Sequence, residues 1–389
     1  MVYFAHFADV HLGGWRQGPM QDLNFTAFQK VIQTCIERKV DFVLIAGDLF
    51  DSAYPPIETL KETFAEFKKL KDAKIPVFII AGSHDYSVSG KTFLDVLEKA
   101  GFCKNVYDAE IKENEILLHP TIHNGVAIYG YPGRKSGLEV PNIRKLKLDD
   151  APGMFKILML HTTMDKVRGV LPIDCVEADN LPEANYYALG HIHVDFRYKN
   201  LVYPGPVFPN NFSELETVEA GSFYIVDTEL GNPFEKIDIK VKEILSVEVE
   251  IKNSDTLSPY EQILNELKKR NLIDKLVLLR VSGTLENQKL SDLKLEKIEN
   301  FCFENGAFFF LKNTHDLKTS EADFNIEVKN KGNLEEEAIK KYSQENPSEF
   351  NKLIPQLMNI LSIEKQEGET VDSFNSRLLE DSKKVLEIE

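Results

Sequence analysis

Five apolar runs in the first half of the chain are each followed by polar residues that can bind a metal ion or a phosphate. Amphipathic stretches with helical spacing, residues 24–39 and 57–72, separate the first three runs. This alternation predicts βαβ units with parallel strands. The runs and the residues that follow them are VYFAHFA with Asp9 and His11, DFVLIAG with Asp48, IPVFIIAG with Ser83, His84 and Asp85, FKILML with His161, and YYALG with His191 and His193.

These polar residues are predicted to meet, because the carboxyl ends of parallel strands lie at one edge of a sheet. Aspartates and histidines without a cysteine suit ions such as manganese, iron or zinc. Six or seven donors exceed the needs of one tetrahedral ion and suit two ions that share a carboxylate. Asp48, which stands alone after its glycine, is the expected bridge.

The remaining histidines have simpler interpretations. An isolated histidine after a strand is usually an ordinary core or surface residue. We keep that interpretation for His6, His119, His123 and His315. For the histidines at strand ends, the ordered recurrence of motifs favours a site instead.

The ordered motifs DVH, GDLFD, GSHD, LH and GHIH resemble the calcineurin-like metallophosphoesterase superfamily. Longer stretches, FAHFADVHLGG, DFVLIAGDLFDSAYPPIETL, YYALGHIH and VYPGP, are similar to the double-strand-break repair nuclease family, including its SbcD-type branch. The resemblance implies an α/β fold with an αββα sandwich core, and a manganese-dependent exo- and endonuclease. It also implies a homodimer that works at DNA ends with an SMC-like ABC ATPase of the SbcC type.

The resemblance also implies a role for each motif residue. His84 would face the scissile phosphate and assist the leaving group, and Asp85 would orient His84. The implied ligands are Asp9, His11 and His193 for the first metal, Asp48 as the bridge, and His161, His191 and Ser83 for the second metal.

Two positions depart from the usual family pattern. Ser83 replaces an asparagine whose carbonyl binds the second metal, and a hydroxyl is a shorter and weaker ligand. It could bind the ion directly, bind through a water, or not bind at all. Asp51 occupies a position where some relatives have a histidine that helps catalysis, whereas the bacterial branch has aspartate.

Beyond the first domain, expected at residues 1–240, the pattern predicts a smaller domain and a helical tail. Residues 244–328 read as a β-α-β-α-β unit at the position of the family's capping domain, although the unit could simply stabilise the fold. Residues 329–333 read as a linker. Residues 334–389 contain apolar stripes at helical spacing, which would bind the ATPase partner or cover their own protein.

Composition and charge limit the possible partners. The net charge of −16 argues against tight autonomous binding to DNA, because proteins that wrap nucleic acid are usually basic. A basic cluster could still contact phosphates or form a solvated face; it comprises Arg134, Lys135, Arg144, Lys145 and Lys147. The four cysteines lack metal-binding or redox spacing, and no signal peptide or membrane span is recognised. We therefore expect a cytoplasmic, nucleoid-associated protein.

The predicted function is a manganese-dependent nuclease that hydrolyses phosphodiester bonds at DNA ends. One alternative is a phosphoesterase with a substrate other than DNA. A second alternative, motivated by Ser83 and the acidic charge, is a scaffold that binds DNA ends and has an impaired second metal site.

Overall fold

The computed structural model describes residues 2–87, 92–169, 174–230, 233–252, 257–285, 289–319, 348–361 and 371–386. The chain divides into two compact units, residues 1–319 and 320–389, which are described separately. The predicted linker at 329–333 and the predicted domain boundaries at 328 and 334 lie outside the described residues.

The helices and strands below are numbered along the chain. The strands are β1 (Tyr3–Phe7), β2 (Phe42–Ala46), β3 (Val77–Ile80), β4 (Lys104–Asn105), β5 (Ala109–Ile111), β6 (Ile116–Leu118), β7 (Thr121–His123), β8 (Val126–Tyr131), β9 (Leu146–Leu148), β10 (Phe155–His161), β11 (Tyr186–Gly190), β12 (Asp195–Tyr198), β13 (Leu201–Pro204), β14 (Gly221–Asp227), β15 (Phe234–Ile239), β16 (Ile244–Ile251), β17 (Leu276–Leu285), β18 (Phe309–Asn313) and β19 (Leu317–Thr319). The helices are α1 (Gly18–Arg38), α2 (Ile57–Asp72), α3 (Phe93–Lys99), α4 (Val140–Ile143), α5 (Phe212–Thr217), α6 (Pro259–Lys268), α7 (Leu295–Glu304), α8 (Ile354–Leu361) and α9 (Val371–Leu386).

The first sheet has the order β15-β14-β1-β2-β3-β4 within the described residues. Strands β1 to β4 pair in parallel, as the alternation of strands and helices predicts, and β14 and β15 add antiparallel edges. Side chains of β1 alternate between two cores. Phe7 packs with Phe28 of α1 and Phe67 of α2, whereas Phe4 faces the second sheet.

The second sheet has the order β12-β13-β11-β10-β8-β7 in the described part of the chain. Its strands β8, β10, β11 and β13 are parallel. Ile157 and Tyr186 of this sheet pack against Phe4 and Phe42 of the first sheet, so the two sheets form a sandwich. The predicted fold class is confirmed. The short helix α4 and a small sheet of β5, β6 and β9 cover the outer face of the second sheet.

A smaller parallel sheet follows, in which β17 pairs with β16, β18 and β19. Helices α6 and α7 cover it through a separate core around Ile263 and Ile298. Helix α6 starts at a capping box, in which Ser258 and Glu261 bond each other's backbone N–H. The order β16-α6-β17-α7-β18 matches the predicted elements, and β19 is an additional strand.

The second unit contributes α8 and α9 to the described residues. Both helices are amphipathic. Leu361 and Leu379 are 62% and 60% exposed. Thr370, which directly precedes α9 and is of a residue type that caps helices, lies outside the described residues. Among the described helices, none has the length and apolar character needed to cross a membrane.

Candidate metal centre

The polar residues that follow five strands of the two large sheets converge at one edge of the sandwich. Strands β1, β2 and β3 of the first sheet lead into the loops of Asp9, Asp48 and Ser83. In the second sheet, His161 is the last residue of β10, and His191 follows β11 directly. Both sheets therefore contribute donors, as the pattern of strands predicts.

The donor atoms fall into three close groups among the described residues, with all atoms of a group within 4.8 Å of one another. The groups are Asp9, His11 and His193; Asp48, His161 and His191; and His11, Asp48 and His84. The first group contains the three residues predicted for the first ion, and the second contains the predicted bridge with two of the three residues predicted for the second ion, Ser83 being the third. One oxygen of Asp48, Oδ2, lies 3.1 Å from Nε2 of His161 and 3.7 Å from Nε2 of His11. The carboxylate of Asp48 is thus close to donor atoms of both groups.

Hydrogen bonds behind two of the histidines, His161 and His193, fix the orientation of their rings. Nδ1 of His161 donates to the carbonyl oxygen of Ala46 at 2.9 Å, and Nδ1 of His193 lies 3.0 Å from a carboxylate oxygen of Glu214. Such contacts hold each of these two rings with Nε2 directed into the site, where that nitrogen could bind a metal ion. Buried carboxylates and imidazoles arranged in this way fit a pair of divalent ions.

The backbone at the ligands is unusual. Asp9, His11, Asp48 and His191 all have left-handed φ values, 53°, 48°, 52° and 95°. Non-glycine residues rarely adopt this region, and such strain concentrates at functional sites. The backbone N–H groups of Val10 and His11 both donate to the carbonyl oxygen of Asp48, which holds the loops in this form.

Two glycines allow the loops to approach closely. A Cβ atom on Gly82 would lie 2.1 Å from Oδ1 of Asp48, and one on Gly47 would lie 2.3 Å from Nδ1 of His161. Gly47 also has a φ of 92°, a conformation that suits glycine. The space around the bridging carboxylate therefore depends on the absence of two side chains.

His84 lies beside both groups, with its ring 46% exposed to the cleft. Its Nδ1 donates to the carbonyl oxygen of Asp51 at 3.0 Å and lies 3.4 Å from Oδ1 of the same residue. This hydrogen bonding with Asp51 raises the pKa of His84 to about 9. This shift favours the protonated imidazole, which is the form that can donate a proton.

Asp85 occupies a different position from the one expected for a partner of His84. Its buried carboxylate accepts hydrogen bonds from the backbone N–H groups of Leu49, Phe50 and Gly82. It therefore joins the loop after β2 to the loop after β3. The contacts of the ring point to Asp51, rather than Asp85, as the residue that orients His84.

Ser83 is within reach of the bridge. Its hydroxyl donates to Oδ2 of Asp48 at 3.3 Å, and its side chain is half-buried. It also lines a cavity of about 890 Å³ together with His84 and His191. The assignment of Ser83 as a ligand stays a prediction.

Two residues that contact the site are not predicted by the sequence pattern. Asp51 departs from some relatives, and in the structure it contacts both His84 and, at 3.2 Å, Nδ1 of His11. Glu214, which contacts His193, is the second. Its only signal is the stretch NFSE, in which Asn211 caps α5 and Glu214 stands three positions later.

The basic cluster does not form one free surface. Arg144 is paired with Asp174 at 2.7 Å and with Glu177 at 3.1 Å. Lys135 instead lines the cavity beside His84. Arg144 thus belongs to an ion-pair network at the surface, whereas Lys135 belongs to the cleft.

Comparison with known proteins identifies the class to which this fold and site belong. Residues 2–195 match the family model described as Calcineurin-like phosphoesterase. The DNA double-strand break repair protein Mre11 of Methanocaldococcus jannaschii is 31% identical over 288 residues, covering 65% of this chain and 71% of that protein. Mre11 of Archaeoglobus fulgidus is 28% identical over 329 residues, covering 76% and 72%. The uncharacterized metallophosphoesterase YhaO of Bacillus subtilis is 26% identical over 287 residues, covering 69% and 68%.

The fold and the grouped donors define a metal-dependent phosphoesterase. The chain belongs to the calcineurin-like phosphoesterases and, among them, to the family of the Mre11 double-strand break repair proteins. The predicted resemblance and the prediction of a metal-dependent phosphoesterase are both confirmed.

Proposed function

We propose that this chain hydrolyses phosphodiester bonds at DNA ends with two divalent ions, which we expect to be manganese. The observation that carries the proposal is the convergence of two donor groups on Asp48, with His84 beside them. Support for a DNA substrate comes from the relatives named DNA double-strand break repair proteins.

The residues of the chain suit the steps of such a hydrolysis. Asp9, His11, Asp48, His161, His191 and His193 would hold the ions. Bound ions of this kind act as Lewis acids that stabilise the charge that develops on the phosphoryl oxygens. His84, protonated and turned toward the cleft, donates a proton to the leaving oxygen. Asp51 holds the ring of His84 in place.

Cleavage of linear duplex DNA by the full chain with manganese tests the proposal. We expect His84→Ala to abolish cleavage while the ions still bind, since His84 is assigned as an acid and not as a ligand. His315→Ala, which changes an exposed histidine of the small sheet region, is the matched control. Full activity of the His84 variant would exclude the role given to that residue.

The domain arrangement belongs to the same proposal. We interpret residues 1–240 as the nuclease domain, 244–328 as a capping domain that helps select DNA ends, and 334–389 as a tail that binds an SMC-like ABC ATPase. Exposed leucines on α8 and α9 suit docking of a helix into an apolar groove. A homodimer in the cytoplasm is expected from the family resemblance.

Binding of the ATPase can be tested in the full chain. Leu361→Glu and Leu379→Glu place a charge on the exposed apolar faces of the two helices, so we expect them to abolish co-purification with the SMC-like ATPase of the same organism. Lys384→Glu places a negative charge at an exposed position on another side of α9, five residues from Leu379, and should leave binding intact. Equal binding by all variants would contradict the assignment of the tail.

Ser83 motivates a second candidate function. In this alternative the chain is a scaffold that binds DNA ends and has an impaired second metal site. The hydroxyl of Ser83 contacts the bridging carboxylate where relatives are expected to present an amide oxygen. Calorimetry with Mn²⁺ distinguishes the two functions. Two ions per chain with DNA cleavage support the nuclease, whereas one ion, with cleavage gained in Ser83→Asn, supports the scaffold. Turnover of nucleotides or phosphoproteins without DNA cleavage would indicate a different phosphoesterase.

A further inference from the structure

The short helix α5 lies between the small parallel sheet and the metal centre. It carries two carboxylates with different partners. Glu214 contacts Nδ1 of His193 at 3.0 Å, and Glu216 forms a bidentate ion pair with Arg280 of β17. The helix is therefore in contact with both structures at once.

The two contacts lie on opposite sides of the helix. Phe212 and Glu216 are four residues apart, so they share one face, and Glu214 lies between them on the other. The guanidinium of Arg280 contacts both members of the first face. Its Nε and Nη2 donate to Glu216 at 3.0 and 2.6 Å, and its centre is 5.5 Å from the ring of Phe212.

Arg280 is itself held firmly. It lies within β17, where it is in register with Glu248 of β16 and Asn313 of β18. Its third donor group, Nη1, bonds Asp316 at 2.8 Å. The arginine and Glu216 are only about one-fifth exposed, 21% and 20%, so water screens the pair less than it screens a surface ion pair.

On the other face, Glu214 is fixed as closely. One oxygen accepts from the side chain of Asn211 at 2.6 Å and faces His193, and the other accepts from the backbone N–H of Asn210 at 2.8 Å. A carboxylate behind a ligating imidazole sets the orientation and basicity of the ring. Because Glu214 belongs to α5, the position of this helix determines where the carboxylate behind His193 lies, and Nε2 of His193 is 3.1 Å from Nε2 of His11.

We propose that Arg280 is a positioning residue for the metal centre. Its ion pair with Glu216 holds α5 in place, and this fixes the hydrogen bond between Glu214 and His193. The affinity of the Asp9–His11–His193 group for its ion therefore depends on Arg280. The small sheet is thereby coupled to one of the two ion sites. The inference depends on the metal centre of the proposed function but not on DNA as the substrate.

The experiment is a calorimetric titration of Mn²⁺ into the metal-free full chain. We expect Arg280→Ala to weaken one of the two ions by about three- to tenfold, less than direct loss of the partner behind a ligand, and to leave the other unchanged. Arg280→Lys keeps the charge but not the bidentate bond, so its effect should be intermediate. Lys312→Ala removes a different ion pair of the same sheet, with Glu299, and should change neither affinity.

A double-mutant cycle tests the route through Glu214. If Arg280 acts through that carboxylate, Arg280→Ala adds little to the loss of affinity already caused by Glu214→Gln. Additive losses, equal weakening of both ions, or unchanged affinities in a less stable protein would each overturn the proposal. Glu216→Gln breaks the same contact from the helix side and must reproduce the Arg280→Ala result, which guards against a folding defect in either variant. Absence of DNA cleavage with these shifts present would count against the DNA substrate alone.

Discussion

Asp51 and His84 form the pair on which proton donation depends. Because the hydrogen bond with Asp51 is the largest contribution that raises the pKa of His84 to about 9, its removal should lower that pKa. We expect Asp51→Asn to reduce kcat by about tenfold to a hundredfold, part of the contribution that a general acid usually makes. The loss should be larger at pH 8.5 than at pH 7, since less of the imidazole is then protonated.

Steady-state rates across this pH range check the prediction, with manganese affinity measured in parallel because Asp51 also contacts His11. A lower kcat at unchanged affinity supports the role given to Asp51. An unchanged rate at pH 8.5 would contradict it.

His6 shows the opposite behaviour, a histidine that is buried and neutral. It is fully buried, its Nδ1 is 2.8 Å from the hydroxyl of Tyr186, and burial lowers its pKa to about 3. The unfolded chain, with an ordinary histidine pKa near 6.5, therefore binds the proton first as the pH falls. The stabilisation is complete above about pH 6.5 and is lost progressively toward pH 3.

His6→Gln removes this titration while keeping a polar group near Tyr186. Between pH 6 and pH 4.5 the free energy of unfolding of the variant should fall less steeply than that of the unchanged protein, by up to about 1.4 kcal/mol per pH unit. Urea unfolding in the presence of a chelator measures both slopes without a contribution from bound metal. Parallel curves would show that His6 does not titrate on unfolding.

At the scale of elements, the loop after β3 approaches the loop after β2 through Gly82. A methyl group there would overlap the backbone nitrogen of Asp48, at 2.3 Å, as well as its carboxylate. We expect Gly82→Ala to lower the free energy of unfolding by about 1–3 kcal/mol and to weaken binding of both ions. Thermal unfolding and Mn²⁺ titration measure these effects. Gly18→Ala, with nothing within 4 Å of the added carbon, is the control; a Gly82 variant equal to it would contradict the prediction.

The sequence predicts best those helices and strands that have a strong local pattern of apolar and polar residues. The predicted helix at 57–72 coincides with α2, because a long amphipathic period leaves little choice of boundary. Helix α1 begins at Gly18, earlier than the predicted start at 24, since Pro19 at its first turn is a starting signal that was not used. The small sheet of β5, β6 and β9 was not foreseen, because strands of three residues are too short to show a period.

The residues of the site also differ in how well the sequence predicts them. The convergence of the candidate ligands could be predicted because each follows a recognisable strand, and parallel strands bring such positions together. Glu214 and the contact between Asp51 and His84 could not, because they depend on how loops distant in sequence fold against one another. Nothing in the pattern around Asp85 shows that its carboxylate faces backbone N–H groups instead of the neighbouring histidine.

At the scale of the whole molecule, the net charge of −16 limits how strongly the chain alone can hold DNA. Contacts with phosphates supply most of the affinity of non-specific binding, and in an acidic chain such contacts would have to come from local basic residues such as Lys135, which lines the cleft. We expect the isolated chain to bind duplex DNA with a Kd weaker than about 1 μM at physiological salt. Fluorescence anisotropy with a chelator present measures binding without cleavage, and nanomolar affinity would contradict the expectation.

The left-handed backbone at Asp9, His11, Asp48 and His191 bears on how substitutions at this centre should be interpreted. Aspartate, asparagine and histidine enter this backbone region more readily than other non-glycine residues. An alanine at one of these positions therefore disfavours the loop conformation in addition to removing a donor atom. Asp9→Asn and Asp48→Asn keep the backbone preference, so they separate loss of the carboxylate charge from disturbance of the loop.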